Sequence, residues 1–452
     1  MSFDTQLMLM LVAVVGALVQ RRPNILIFSA NHIVVLLAAR NLELRGPPPA
    51  FHYLPPMLFA PSMLRDAADV LSVPTFMLLV AGVVRLNVRP RTEPLAKVPT
   101  GVLWVLAAYF AFLLFSTRTL FQTVYASADQ TLYGASAGGG IYVLAWAVTT
   151  FELRRRVDAG QMSAGQSLGL VAGMILFLDF LKGTTGIAAG IVTTVGFLVF
   201  IPGLLAEGRA SEAPQLTRRS TWRGIAAAAL LMISLGGVVM FVRNSRTYIA
   251  TEGIDGAAVI AFRRLTSLSS SESEEGLEGA ANGTQGAAHV LMCVALYDNQ
   301  HSREWRSIWG PFEYTVKPAV LVAPLGLTRS REAAWELGDY FIHGGGINTF
   351  GEFYWNGGYL CLILMSAVTI GFLLALDVLA RRHWGWFALA CCVAPGLVQG
   401  YGYGFAQVFR GVANGLIFFL PFITYVRFVD WQKSRSQLAL RRPGPSPAPD
   451  AS

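Results

Sequence analysis

Charge is scarce in this chain. Asp, Glu, Lys and Arg make up 14% of its 452 residues, where an ordinary soluble domain carries about 25%. Hydrophobic residues make up 54% and the mean hydropathy is +0.50. So little polar surface cannot cover a water-soluble fold of this length, and the composition reads as a polytopic membrane protein. Cysteine is also sparse. Cys361, Cys391 and Cys392 fall inside apolar runs and only Cys293 lies in a more polar stretch, which excludes a disulfide framework. Six histidines are scattered and no Asp-x-Asp pair occurs, so neither a metal site nor a cofactor is expected. The net charge of +8 sits in short basic clusters between apolar runs, never on one continuous face, so nucleic acid is not an expected partner. No basic stretch precedes the first apolar run at residues 7–19, which reads as a retained span rather than a cleaved signal peptide. Internal repeats are missing as well: residues 181–198 and 351–374 are both interrupted by glycine but do not align, so an inverted-repeat transporter finds no support.

What is present is a succession of apolar windows, near residues 4–20, 24–39, 68–86, 98–116, 138–153, 164–181, 185–205, 224–242, 359–379, 384–404 and 412–428. They predict an all-α polytopic membrane protein with about eleven transmembrane helices. Asn31 and His32 interrupt the second window. The organisation expected is an N-terminal transmembrane bundle over 1–242, a large periplasmic loop with short amphipathic helices over 243–353, C-terminal transmembrane helices over 354–430, and a disordered cytoplasmic tail over 431–452. Basic clusters fall in alternate connections: Arg21-Arg22, then Arg85 to Lys97, Arg154-Arg155-Arg156, Arg209 to Arg223, Arg381-Arg382, and the tail. The positive-inside rule puts these in the cytoplasm, with the N-terminus and the long loop outside a bacterial inner membrane.

Within the loop, residues 254–268 and 287–297 carry apolar side chains at helical spacing, and 330–341 reads as a third short helix with a Ser cap. Such pieces suit a half-ordered lid packed on the membrane domain. The Ser271-Glu272-Ser273-Glu274-Glu275 run reads as a solvated turn, and Asn282-Gly283-Thr284 is a short acceptor pattern of little weight in a bacterial chain. Cations gather on this side: Lys182, Arg243, Arg246, Arg263, Arg264, Arg303, Arg306, Lys317 and Arg410. An anionic substrate accounts for them, since a guanidinium grips phosphate oxygens with two parallel hydrogen bonds. Snorkelling at span ends is the plainer alternative. Arg410 stands alone between apolar spans, a setting in which ionisable groups usually face a cavity or a partner. Glu352 is the outstanding carboxylate, between Gly344-Gly345-Gly346 and Asn356-Gly357-Gly358 among aromatic residues. It suits either a general base or a carboxylate at the positive end of a helix, with Tyr354 and Trp355 as an interfacial belt. His301 and His343 are secondary candidates for the base.

The segment Gly351-Glu352-Phe353-Tyr354-Trp355-Asn356-Gly357-Gly358-Tyr359-Leu360, preceded by the long loop and followed by a span and Phe409-Arg410-Gly411, resembles the bacterial oligosaccharide repeat-unit polymerases of the Wzy type, which build O-antigen, capsule and exopolysaccharide. The resemblance covers the C-terminal third in motif detail and the remainder only in pattern. It implies a GT-C-like membrane fold and metal-independent, inverting glycosyl transfer between undecaprenyl-diphosphate-linked oligosaccharides at the periplasmic face. It further implies Glu352 as catalytic base, Arg410, Arg264, Arg306 and Lys182 on the diphosphate, and Tyr354, Trp355, Asn356 and His301 on the acceptor sugar. Membrane lipid, a chain-length regulator and a flippase would be its partners. Two alternatives stay open: an O-antigen ligase using the same donor, and a polysaccharide or lipid transporter.

The alternating basic clusters give a direct test. A topology reporter fused after Gly276 should be active only as a periplasmic marker and one fused after Arg382 only as a cytoplasmic marker; finding both on one side would sink the arrangement.

Overall fold

The computed structural model describes residues 1–47, 54–86, 95–106, 136–182, 196–200, 278–303, 333–341 and 346–440, with Phe51 and a few isolated positions besides. The described residues form a helical bundle: α1 (Phe3–Val19), α2 (Pro23–Arg45), α3 (Pro61–Val83), α4 (Ser136–Asp158), α5 (Ala164–Lys182), α6 (Glu278–Asp298), the short α7 (Ala333–Leu337), α8 (Thr349–Leu379), α9 (Trp384–Tyr403), α10 (Phe405–Asn414) and α11 (Leu420–Leu440). Among the described residues, four segments are long and apolar enough to cross a membrane, namely Pro23–Arg45, Pro61–Val83, Thr349–Leu379 and Gly411–Lys433. Phe3–Val19 and Trp384–Leu397 are shorter apolar helices. The second predicted span is therefore a full-length helix despite Asn31 and His32. Burial explains the tolerance: the His32 ring nitrogens meet the Tyr401 hydroxyl and, at 2.8 Å, the Thr75 hydroxyl, so its polar atoms are satisfied inside the bundle. The windows at 224–242 and most of 185–205, and the second half of 98–116, lie outside the described residues, as do 254–268 almost entirely and 271–275.

The outer face of the bundle is apolar where a soluble protein would be polar. Along α8, Leu360, Ile363, Leu364 and Val368 all point outward, with Leu360 63% and Val368 62% exposed. A stripe of this kind calls for lipid. Inside, one large cluster joins α1, α2, α3, α4, α6, α8 and α9, and a smaller one gathers Cys293, Leu296, Leu337, Ile347 and Trp355 near α7.

One end of the bundle collects basic residues. Arg381 donates to the carbonyls of Gln20 and Arg21 at the end of α1, and Arg22 donates to Ala81 and Val84 at the end of α3. The last turn of α4, with Arg155 and Arg156, reaches the same end, because Phe151 packs 5.9 Å from Phe387 at the start of α9. Three of the clusters that alternate along the chain thus meet in space. Arginines here cap carbonyls at the negative ends of helices, and Asp377 does the reverse. Helix α2 begins without a side-chain cap of its own; the buried Asp377 carboxylate accepts the Asn24 and Ile25 N–H groups at 3.0 Å each and the Asn24 side-chain amide at 2.9 Å.

Two expectations are corrected. Residues 287–297 do not form a half-exposed amphipathic piece: α6 is buried throughout 286–296, packed on α2, α3 and α8. A segment rich in Gly and Ala with aliphatic residues all round has no polar face to show, and it sinks into the bundle. The tail is also helical in its first part, where disorder is expected. Helix α11 runs on to Leu440, supported by Phe428 stacked on Trp431 and by Arg435, 4.3 Å over the Trp431 ring; residues 441–452 lie outside the described residues.

Asp377→Ala should strand buried donors at the start of α2, each at about 1–3 kcal/mol. Thermal unfolding in detergent should show a clearly lowered midpoint, with Asp377→Asn in between because its amide oxygen still accepts; an unchanged midpoint for Asp377→Ala would remove this cap from the account.

Candidate functional site

Glu352 lies in the first turn of α8, so the motif begins the helix instead of ending the loop. Asn348 starts that turn: its side-chain oxygen accepts the Phe350 N–H at 3.0 Å and the Gly351 N–H at 3.2 Å. Gly351 lies against the backbone of α6, where an added Cβ would come within 3.2 Å of the Val290 Cα. The turn then breaks at Gly357 and Gly358. Gly358 has φ +61°, and a Cβ there would strike the Tyr297 hydroxyl at 2.3 Å, so this position needs glycine twice over. Phe350 shares a level with Phe28, His32 and Tyr401 in the bundle interior. The motif therefore begins inside the bundle.

Glu352 is only 3% exposed, contrary to the expected outward carboxylate on a moving loop. Its Oε2 accepts the Phe405 backbone N–H at 2.9 Å, at the break between α9 and α10. That break is made by Gly404, with φ +90°, where a Cβ would meet Glu352 Oε2 at 2.9 Å and the Ile347 side chain at 2.9 Å. The interruption between α9 and α10 thus directs the Phe405 N–H at a carboxylate. The other carboxylate oxygen, Oε1, lies 3.7 Å from Nη1 of Arg303.

Arg303 is the residue that sequence reasoning did not select. It was one of nine cations on its side, and its neighbour Arg306 was preferred. Its side chain is 4% exposed and held on every edge. Nη1 donates to the Asn356 side-chain oxygen at 3.3 Å; Nε and Nη2 fork onto the two oxygens of Glu336 in α7, at 2.5 and 3.0 Å. Its guanidinium carbon stands 5.4 Å from the Trp355 ring centroid. Its backbone N–H donates to the Trp355 carbonyl at 3.1 Å, and the Trp355 indole N–H donates to the His301 carbonyl at 2.6 Å. The chain at 301–303 is thereby pinned to the second turn of α8. The one signal for this was proximity to Gly351–Gly358 in the fold, which a linear sequence does not display.

The predicted acceptor residues divide. Trp355 is 1% exposed and Asn356 3%, so neither offers a face to a sugar. Trp355 is a core ring and Asn356 holds Arg303. Tyr354 is closed in by Tyr297 at 4.8 Å and Tyr359 at 5.2 Å. His301 remains accessible, its ring 5.4 Å from that of Tyr340, which is 50% exposed. Beyond Tyr354, burial and the neighbouring Asp66 charge push the Asp298 carboxyl up from its usual range, while a hydrogen bond from Tyr354 opposes the rise. Arg264, Arg306, His343, Arg243, Arg246, Arg263 and Lys317 lie outside the described residues. Lys182 ends α5 and Arg410 lies within α10, but their side chains lie outside the described residues too. Among the described residues no group of three or more His, Cys, Asp or Glu is placed to hold a metal ion.

Gly404→Ala should disturb this site specifically, because the new methyl group and the positive φ both act where Glu352 meets Phe405. A folded but less stable protein is expected, with the Phe405 amide exchanging its hydrogen faster by at least tenfold; unchanged exchange would show that the carboxylate contact does not depend on the glycine.

No protein-family model, curated protein or solved structure matches this chain.

Proposed function

We propose that this chain is a lipid-linked oligosaccharide polymerase, joining undecaprenyl-diphosphate-linked repeat units at the outer face of a bacterial inner membrane. The observation that carries the proposal is the meeting of Glu352, which lies in the segment that resembles the Wzy-type polymerases, with Arg303 and the broken helix at Gly404, inside an apolar bundle. Broken helices inside membrane proteins serve as places where backbone and charge meet a ligand. A buried carboxylate beside an arginine in such a place suits proton and charge handling better than packing.

The chemistry asks little more. The acceptor hydroxyl attacks C1 of the donor sugar as the bond from C1 to the diphosphate oxygen breaks. The new glycosidic bond takes the hydroxyl oxygen, the diphosphate leaves with the electron pair, and the hydroxyl proton passes to Glu352. Charge on the departing diphosphate is met by fixed cations. Arg410, Arg264, Arg306 and Lys182 keep that role in the proposal. For the acceptor sugar, the accessible His301 and Tyr340 replace Trp355 and Asn356, whose burial assigns them to the frame. No cofactor is required.

Loss of a positioned base costs about 100- to 10,000-fold in rate. Glu352→Gln should therefore yield a folded protein that binds the lipid-linked substrate and builds little polymer in a purified assay. Its amide keeps an oxygen for the Phe405 N–H, so a purely structural Glu352 would let Glu352→Gln retain most turnover with an unchanged pH profile, and that result would end the assignment. Transfer to lipid A core instead of to a second repeat unit would favour the ligase.

A further inference from the structure

Arg303 has two working edges, and they are treated differently. The Nη1 edge faces inward to Asn356 and Glu352, both 3% exposed, and the guanidinium lies beside the Trp355 ring. The Nε and Nη2 edge is the fork that binds carboxylate or phosphate in two parallel hydrogen bonds, and Glu336 fills it. The side chain of Glu336 is 30% exposed while that of Arg303 is 4% exposed. Glu336 also comes from α7, a helix of five residues. The inward partners are fixed on α8, ahead of its break at Gly357; the outward partner is the half-exposed one on a short element. A buried pair between Arg303 and Glu352 alone would hold the guanidinium, so the second carboxylate is not needed to neutralise it. With Glu336 in place the three side chains sum to one negative charge, which repels an incoming anion.

We propose that Glu336 is a built-in occupant of an anion site, and that a phosphate-class ligand displaces it from the Arg303 fork. This deepens the polymerase reading, on which it rests for the identity of the natural ligand as a lipid diphosphate. The fork itself asks only for two oxygens in the place of the Glu336 carboxylate. Displacement turns the fork outward without moving the inward edge, so the ligand arrives beside Glu352 with Arg303 already oriented. In the absence of ligand the carboxylate keeps the buried charge paired.

The test is binding, not turnover. Purified full-length protein in lipid nanodiscs is titrated with inorganic pyrophosphate, with farnesyl diphosphate and with acetate, by calorimetry. Glu336→Gln removes the competing charge at a half-exposed position, and pyrophosphate should bind about 10- to 100-fold tighter than to the wild type. Adding Arg303→Lys, which keeps the charge and loses the fork, should abolish the gain. Tightening that survives Arg303→Lys overturns the proposal, as does Glu336→Gln binding no tighter than wild type; an equal gain for acetate overturns the phosphate class. Farnesyl diphosphate gaining as much and binding tighter than pyrophosphate identifies a lipid-borne source, and equal affinities identify a free one. These measurements stand even if the purified protein forms no polymer, whereas failure of Glu352→Gln to reduce polymer bears on the polymerase reading alone.

Discussion

A helix that begins inside an apolar bundle exposes N–H groups that no water can reach, and this chain meets that demand with carboxylates brought from elsewhere in the sequence. Asp377, at the far end of α8, closes the start of α2; Glu352, at the near end of the same helix, closes the start of α10. Neither α2 nor α10 has a side-chain cap of its own. Each unsatisfied buried donor costs about 1–3 kcal/mol, more than most single packing contacts supply. Helix α8 therefore acts as a double clamp. The break at Gly404 can persist in the interior because Glu352 is there to receive the Phe405 N–H, and Glu352 can remain buried because Arg303 lies alongside.

That dependence shapes what Glu352 is able to do. A carboxylate whose only service is to cap a helix needs a donor, not a cation. The guanidinium, itself clamped by Asn356, Trp355 and Glu336, offsets the buried carboxylate charge but carries a large desolvation cost of its own. Buried ion pairs often contribute little net stability, and their presence asks for another explanation. The two contacts are compatible in geometry, because the Phe405 N–H occupies one carboxylate oxygen and Arg303 stands nearest the other.

How much of this was legible follows from what each signal measures. Composition and apolar windows sense lipid contact, so the all-helical membrane character and the helices at 68–86, 359–379 and 384–404 could be read from residues alone. Alternating arginine clusters sense topology, and Arg21-Arg22, Arg154 to Arg156 and Arg381 do meet at one end. Glu352 was visible because a lone carboxylate among aromatic residues and glycines has few structural uses. Arg303 was not, since it and Arg306 are three residues apart in a stretch whose register no periodicity fixes. The burial of α6 was hidden for a different reason: small residues lower its hydropathy while making it the easiest helix to pack closely on all sides. The burial of Tyr354, Trp355 and Asn356 is not legible in the motif, because a sequence tells which side chains are adjacent but not which of them face a neighbouring helix.

The two kinds of charged residue in this molecule obey the same rule at opposite ends. At the basic end the side chains of Arg22 and Arg381 donate to backbone carbonyls at the ends of α3 and α1 and so hold the bundle together. Among the described residues, the contacts of the Arg303 guanidinium are to the side chains of Asn356, Glu352, Trp355 and Glu336. An arginine fixed by backbone acceptors cannot be released without melting a helix end. An arginine fixed by a half-exposed carboxylate carries no such constraint, and that difference in partners, more than burial or position in the sequence, sets Arg303 apart from the arginines at the basic end.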